Sequence, residues 1–398
     1  MEALSKRIQS LSESETLAMT KKSRELKAQG FDVINLSIGE PDFFTPNYIK
    51  EAAKKAIDEN YSFYTPVSGY QDLREAICKK LKRDNNLDYT ADQIVVSTGA
   101  KQSIANAVLA LVNPGEEVIV PAPYWVSYRE IVKLAEAKSV YVNATVENDF
   151  KVTPQQLRDA ITPKTKLIMY SSPCNPTGSV YTKDELEAIA IMLKEFPNIY
   201  IIADEIYEKI NFSGEPHASM AQFDFIKDRV ITVNGISKGY AMTGWRLGYI
   251  AAPKFIAQAC DKLQGQFTSG TNSITQRATI TAMLEETDDI EKMVIEFKKR
   301  RDHVINMLKE IPGLTINVPQ GAFYIFPKVN HYFGKTDGKT VINNCTDLAM
   351  YLINDANVAL VQGDAFGDAD CIRISYATSI EILTEAINRL KKSLAKLK

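Results

Sequence analysis

The sequence predicts an α/β protein: a large domain on a mostly parallel, seven-stranded sheet, joined to a smaller α+β domain drawn from both ends of the chain. Three observations carry this expectation. Seven short β-rich runs recur between residues 90 and 255. Several are apolar nearly throughout rather than alternating, as strands covered on both faces are. Helix-patterned stretches separate them, which is what right-handed crossovers between parallel strands require.

Taken in order, the first 45 residues have no strand partner of their own and are expected to pack on the C-terminal domain and on a neighbouring subunit. IVVS (94–97) then leads into the small-residue turn STGAK and the helical pattern QSIANAVLALV. EVIV (117–120) runs into PAPYW, SVYV (139–142) follows, and KLIMYSS (166–172) runs into PCNPTG. IYIIAD (199–204) precedes EIY, VITV (230–233) precedes NGISK, and GYIAA (248–252) closes the set. After about 285 come a long charged helix (DDIEKMVIEFKKRRDHVINMLKEI), a β-like pair (LTINV and AFYIFPKV), a helix, the strand CIRISYA and a closing helix. The expected boundaries are 46–285 for the large domain, and 1–45 with 286–398 for the small one.

Composition narrows the function. With 398 residues, 45% of them hydrophobic, the chain can bury the cores of two domains. A formal net charge of −2 lacks the basic footprint of a nucleic-acid binder. KKLKR (79–83) and KKSLAKLK (391–398) lie in amphipathic helical stretches and read as solvated faces. Cys78, Cys174, Cys260, Cys345 and Cys371 form no CxxC pair and follow no secretory segment, so a reduced, cytoplasmic setting is expected. No run approaches the roughly 20 apolar residues that span a bilayer. His217, His303 and His331 are not paired at ligand spacing, so no metal is expected. There is no GxGxxG, and GKTDGKT (334–340) is one residue short of a P-loop.

In open α/β sheets, ligands bind beyond the carboxyl ends of the strands, which places the chemistry in the loops after each run. The turn before QSIANAVLALV offers an anion the free N–H groups of a helix start. Asp204 ends an apolar strand, where it either caps a following helix or meets a cationic partner. Lys238, in NGISKGYAMTGWRLGY (234–249), is either a surface lysine in a small-residue turn or an amine used for chemistry.

SSPCNPTGSVY, IIADEIYEKI, SKGYAMTGWRLGY and CIRISYA, in that order and spacing, resemble the fold-type I pyridoxal-phosphate aminotransferases, and among them the class I aspartate aminotransferase group. The resemblance runs from SIGEPDF (37–43) to IRISYAT (372–378). It implies that Lys238 forms the internal aldimine with pyridoxal 5'-phosphate and then moves the substrate's α-proton, the pyridoxamine form carrying the amino group between half-reactions. It implies that Asp204 pairs with the ring nitrogen, that Tyr207 and Asn175 bond the phenolic oxygen, and that Trp125 stacks on the ring. Arg246, Ser237 and the N–H groups of Gly99, Ala100 and Lys101 would hold the phosphate. Tyr64 resembles the tyrosine that reaches the cofactor phosphate of the other subunit, so a homodimer with shared sites is implied. Arg373 would take the substrate α-carboxylate; its alternative is an arginine paired with a structural acid. Gly39 lies in the segment that the family folds over the substrate.

Two departures from the animal-type enzymes bear on specificity. Gly235 replaces a phosphate-binding serine, and the stretch from Gly265 to Gln276 holds no arginine for a distal carboxylate. The bacterial subgroup shares both departures and uses a lysine at the place of Lys101. The resemblance therefore implies amino-group exchange between L-aspartate and 2-oxoglutarate. Another donor specificity (aromatic, alanine or prephenate), a lyase of the same fold and a non-enzymatic binding domain are the rivals.

Overall fold

The computed structural model describes residues 4–285 and 287–398; residues 1–3 and 286, all in the expected small domain, lie outside the described residues. All seven β-rich runs become strands of one sheet: Ile94–Ser97, Glu117–Ala122, Lys138–Asn143, Thr165–Ser171, Tyr200–Asp204, Val230–Gly235 and Gly248–Ala251. Across the sheet they lie in the order of their first residues 94, 248, 230, 200, 165, 117, 138. Gly248–Ala251 runs antiparallel to both its neighbours, and every other pairing is parallel.

The apolar runs are continuous because each strand feeds two cores. Val96, Ile119, Ile168 and Ile201 point into one, with the helices Gln71–Asn85, Lys183–Leu193 and Ser273–Leu284. Val95, Val118, Leu167, Met169 and Ile202 point into the other, with the helices Ala100–Leu111 and Lys254–Phe267. A Thr182/Glu185 capping box starts the helix Lys183–Leu193. The buried Gln264 ties the sheet edge to the preceding segment: its Nε2 donates to Val67 O and Val96 O, both at 2.8 Å, and its Oε1 accepts from Asn106 Nδ2 at 3.0 Å.

A separate core gathers Leu36, Phe297, Leu308, Tyr324, Leu352 and Leu383 from the helices Asp289–Leu308, Cys345–Asp355 and Ile380–Leu394 and the chain around them. Ile206, Tyr207 and Ile210, just after the strand that ends in Asp204, belong to this core, so the turn there joins the two parts of the molecule. Ile372–Ser375 stands between Val361–Gln362 and Tyr324–Ile325, antiparallel to both.

Two expectations need correction, and one pairing is new. The first 45 residues find their strand partner in the C-terminal part of the chain, where they are expected to pack: Ile34–Asn35 pairs parallel to Val358–Ala359, a strand that the sequence pattern does not assign. Strands of two residues carry no readable period, which is why this pair and Val361–Gln362 escape the sequence pattern. LTINV forms only an isolated bridge, Thr315 to Lys328. Pro327 removes a ladder donor and helps confine AFYIFPKV to the two-residue strand Tyr324–Ile325. Among the described residues, no helix is long and apolar enough to cross a membrane.

Candidate active site

Loops from the carboxyl ends of five strands open into a cleft of about 270 Å³. It is lined by eleven of the residues singled out in the sequence: Gly39, Ala100, Lys101, Trp125, Asn175, Asp204, Tyr207, Ser237, Lys238, Arg246 and Arg373. Gly99 sits directly behind Arg246, since a Cβ on it would come 2.5 Å from the guanidinium. Tyr64 does not line the cleft of its own chain and is 98% exposed.

Lys238 is not a surface lysine. Its Nζ donates to Gly39 O and lies 5.8 Å from the ring centroid of Tyr207 and 5.9 Å from that of Phe323. Burial lowers its pKa to about 8; Glu40 and Asp204 oppose the shift, and the charges of Arg373 and Arg246 add to it. At neutral pH roughly a tenth of such amines are unprotonated, against well under a thousandth for an ordinary lysine.

Asp204 is buried at the end of its strand. Tyr128 OH donates to Oδ2 at 2.7 Å and the Ile206 N–H donates to Oδ1 at 3.3 Å. Only a turn follows it, so the helix-cap alternative does not hold. Burial raises its pKa to about 6, against the hydrogen bonds from Tyr128 and Ile206.

Arg373 is 1% exposed, and no acid lies within ion-pair distance of it among the described residues. Its NH1 donates to Asn175 Oδ1 at 2.9 Å and its NH2 to Ser37 O at 2.6 Å, while Nε has no partner. Tyr324 and Phe366 pack against it at 4.6 and 4.8 Å. The alternative of a structural acid partner is therefore not realised. Lys101 lies with its Nζ 5.0 Å from the Trp125 ring centroid, also without an acidic partner among the described residues.

At the other end of the cleft the helix Ala100–Leu111 begins at Gly99, whose φ of +89° suits glycine. The N–H groups of Ala100 and Lys101 have no intrahelical acceptor, whereas the Gly99 N–H donates to Ser97 O at 2.8 Å and the Gln102 N–H to Gly99 O at 3.0 Å, so the expectation that the Gly99 N–H is free for a phosphate is not met. Arg246, itself at φ +57°, bonds Thr243 O through NH1 at 2.9 Å and stands beside that turn. Gly248 lets the helix start come close, because a Cβ there would run into the backbone of Gly99 and Ala100. Gly235 likewise leaves no room: a Cβ would lie 2.8 Å from Gly248 Cα and Leu247 O, which accounts for the missing serine.

Sequence reasoning missed several residues of the site. Tyr324 OH meets Tyr207 OH at 2.8 Å, and Tyr128 holds Asp204. Both lie in apolar runs, AFYIF and YWVSY, where an aromatic reads as core. Ser14, Thr16 and Leu17 reach the cleft from the N-terminal segment, a long-range contact with no local signal.

The buried carboxylate generates a prediction. Because the folded-state pKa of Asp204 lies above the usual 3.8, ionisation opposes folding. The penalty is absent below about pH 4, where both states are protonated, and complete above about pH 6, where it amounts to about 3 kcal/mol. Asp204→Asn should therefore raise the melting temperature of the cofactor-free protein at pH 8 and lose that advantage at pH 4. An advantage equal at both pH values would count against a strained carboxylate.

The sequence profile of the family "Aminotransferase class I and II" matches residues 32–390. A bifunctional aspartate aminotransferase and glutamate/aspartate-prephenate aminotransferase of Petunia hybrida is 48% identical over 400 residues, covering 100% of this chain and 84% of its own length. A probable aspartate/prephenate aminotransferase of Rickettsia bellii is 45% identical, covering 100% of both chains. Among solved structures, the aspartate aminotransferase of Rhizobium meliloti superposes with a TM-score of 0.96 at 40% identity, covering 99% of each chain. That of Thermus thermophilus, solved with maleate, gives 0.93 at 38%, covering 99% of this chain and 100% of its own. A profile spanning nearly the whole chain, and relatives matching it end to end, establish that the chain belongs to the class I and II aminotransferases and is an enzyme of amino-group transfer.

Proposed function

We propose that this aminotransferase uses pyridoxal phosphate to exchange the amino group between L-aspartate and 2-oxoglutarate, giving oxaloacetate and L-glutamate. One observation carries the reading: Lys101, Lys238, Arg246 and Arg373 line a single cleft, and none has an acid within ion-pair distance among the described residues. Four unneutralised cations suit a ligand set rich in anions, here a phosphate and two carboxylates.

The residues fit the cofactor. A buried, acceptor-only carboxylate at Asp204 suits a protonated ring nitrogen, whose charge would offset its desolvation. The first turn of the helix Ala100–Leu111, with Arg246 and Ser237, suits the phosphate, and Trp125 offers a ring face. Tyr207 OH, and the Asn175 amide whose oxygen is taken by Arg373, can donate to a phenolic oxygen. Bound there, pyridoxal phosphate supplies the electron sink for the pair left at the amino acid's α-carbon. Lys238 Nζ, with a pKa of about 8, takes and returns the α-proton near neutral pH.

Arg373 holds the α-carboxylate as a planar fork in the cleft that Lys238 also lines, which brings the α-carbon into the neighbourhood of the amine. Ser14, Thr16, Leu17, Gly39, Tyr324 and Arg373 all come from 1–45 and 286–398, which supports the reading of a smaller domain that closes on substrate. Names of relatives that couple aspartate with prephenate favour prephenate as a second acceptor, since it too is a dicarboxylate. The Thermus thermophilus relative was solved with maleate, another dicarboxylate.

The distal carboxylate falls to Lys101 in this reading. Hydrogen bonds to charged groups contribute about 1.5–3 kcal/mol, so Lys101→Ala should lower kcat/KM for aspartate and glutamate by about ten- to a hundredfold. Alanine and phenylalanine should lose little, and the cofactor's absorption should hardly change. Equal losses across all donors would assign Lys101 to the phosphate or the fold.

The active unit in this reading is a homodimer. Phe63 and Tyr64 are 83% and 98% exposed, and they sit where the resemblance assigns a residue lent to the partner's site. Mixing inactive Lys238→Ala with an inactive Tyr64→Ala variant should restore activity through one repaired site, which takes Lys238 and Arg373 from one chain and Tyr64 from the other. Verified heterodimers without any activity would show that Tyr64 serves its own chain.

A further inference from the structure

The strand that ends in Asp204 continues as a turn with two faces. Ile206 and Tyr207 point with Asp204 into the cleft, while Glu205 and Glu208 point away from it and are buried, 1% and 8% exposed. The turn is tied internally, Glu208 N–H donating to Glu205 O at 2.9 Å and Ile210 N–H to Tyr207 O at 2.8 Å.

Behind it lies a polar cluster. The Lys80 ammonium, 1% exposed, donates to Glu208 Oε1 and, at 2.8 Å, to Asn85 Oδ1; Asn85 Nδ2 donates to Glu208 Oε2 at 2.8 Å. Ser219 Oγ donates to Glu205 Oε1 at 2.6 Å, and His217 Nε2 stands 3.2 Å from Glu205 Oε2. With both Glu208 oxygens engaged, Glu205, Glu208 and His217 do not read as a metal site.

Buried ion pairs are a poor source of stability. Removing the charges from water costs several kcal/mol per ion, and replacing a whole pair by apolar groups is often neutral. What such a pair supplies is direction: Lys80 and Asn85 lie on the helix Gln71–Asn85, which packs on the sheet, so Glu208 is fixed in place relative to the strands. Fixing Glu208 fixes Tyr207 beside it, and Glu205 does the same for Asp204.

We propose that Lys80, Glu208 and Glu205 are positioning residues for amino-group transfer: anchored on the far face of the turn, they aim Asp204 and Tyr207 at cofactor and substrate. This rests on the function proposed above. A small misplacement of reacting groups can lower a rate by about a hundredfold without any loss of contact to substrate.

The test uses the cofactor-loaded enzyme and two variants. Lys80→Met/Glu208→Leu removes both charges at similar volume, and Glu205→Gln keeps the Ser219 bond but drops the charge. In each, kcat for aspartate should fall about ten- to a hundredfold while KM changes less than about twofold. The pH midpoint of the cofactor's visible absorption should also move, since Asp204 and Tyr207 face the groups that set it. A merely structural role would lower the melting temperature and leave kcat and that midpoint at parental values, which would overturn the proposal. If the double variant does not fold, Glu205→Gln decides on the same two readouts. A parent enzyme that takes up no pyridoxal phosphate would sink the proposed function itself, whereas parental variants of a working enzyme would sink only the positioning role.

Discussion

A carboxylate at the buried end of a central strand needs a positive partner, and much of this cleft is arranged around that need. Asp204 has hydrogen bonds from Tyr128 and Ile206 but no cation in contact, and burial pushes its pKa up to about 6. Opposite it stand four cations without acids in contact. Each group alone is a defect in a folded protein. Together they match the charges of the ligands proposed above: a cationic ring nitrogen, a phosphate and carboxylates.

The fold makes this arrangement affordable. Two cores clasp the sheet on both faces and hold the strand ends in register, while a third core reaches in through Ile206, Tyr207 and Ile210. The same turn thus belongs to the sheet by its backbone, to the third core by its apolar side chains, and to the cleft through Asp204 and Tyr207. Glycine at 99, 235 and 248 removes the side chains that would otherwise keep the helix start and Arg246 apart from the strand ends.

Much of this was legible in the sequence, for identifiable reasons. Strands covered on both faces must be apolar throughout, so runs such as KLIMYSS and VITV announce themselves. The antiparallel direction of Gly248–Ala251 has no such signature, because direction is set by the chain's path and not by side-chain chemistry. Pairs such as Ile34–Asn35 with Val358–Ala359 are too short to show a period. Within the site, polar residues after strands stand out, whereas Tyr128 and Tyr324 each bring one hydroxyl on a ring that otherwise packs as core. The role proposed for Tyr64 rests on resemblance alone, since nothing local to an exposed tyrosine points to a second chain.

The central claim is that Lys238 is the amine that holds the cofactor. The most direct measurement is to load the protein with pyridoxal phosphate, reduce it with borohydride, digest it and locate the modified lysine by mass spectrometry. The account predicts a yellow protein before reduction and a single adduct on Lys238 after it. An adduct on any other lysine, or a protein that takes up no cofactor, would contradict it.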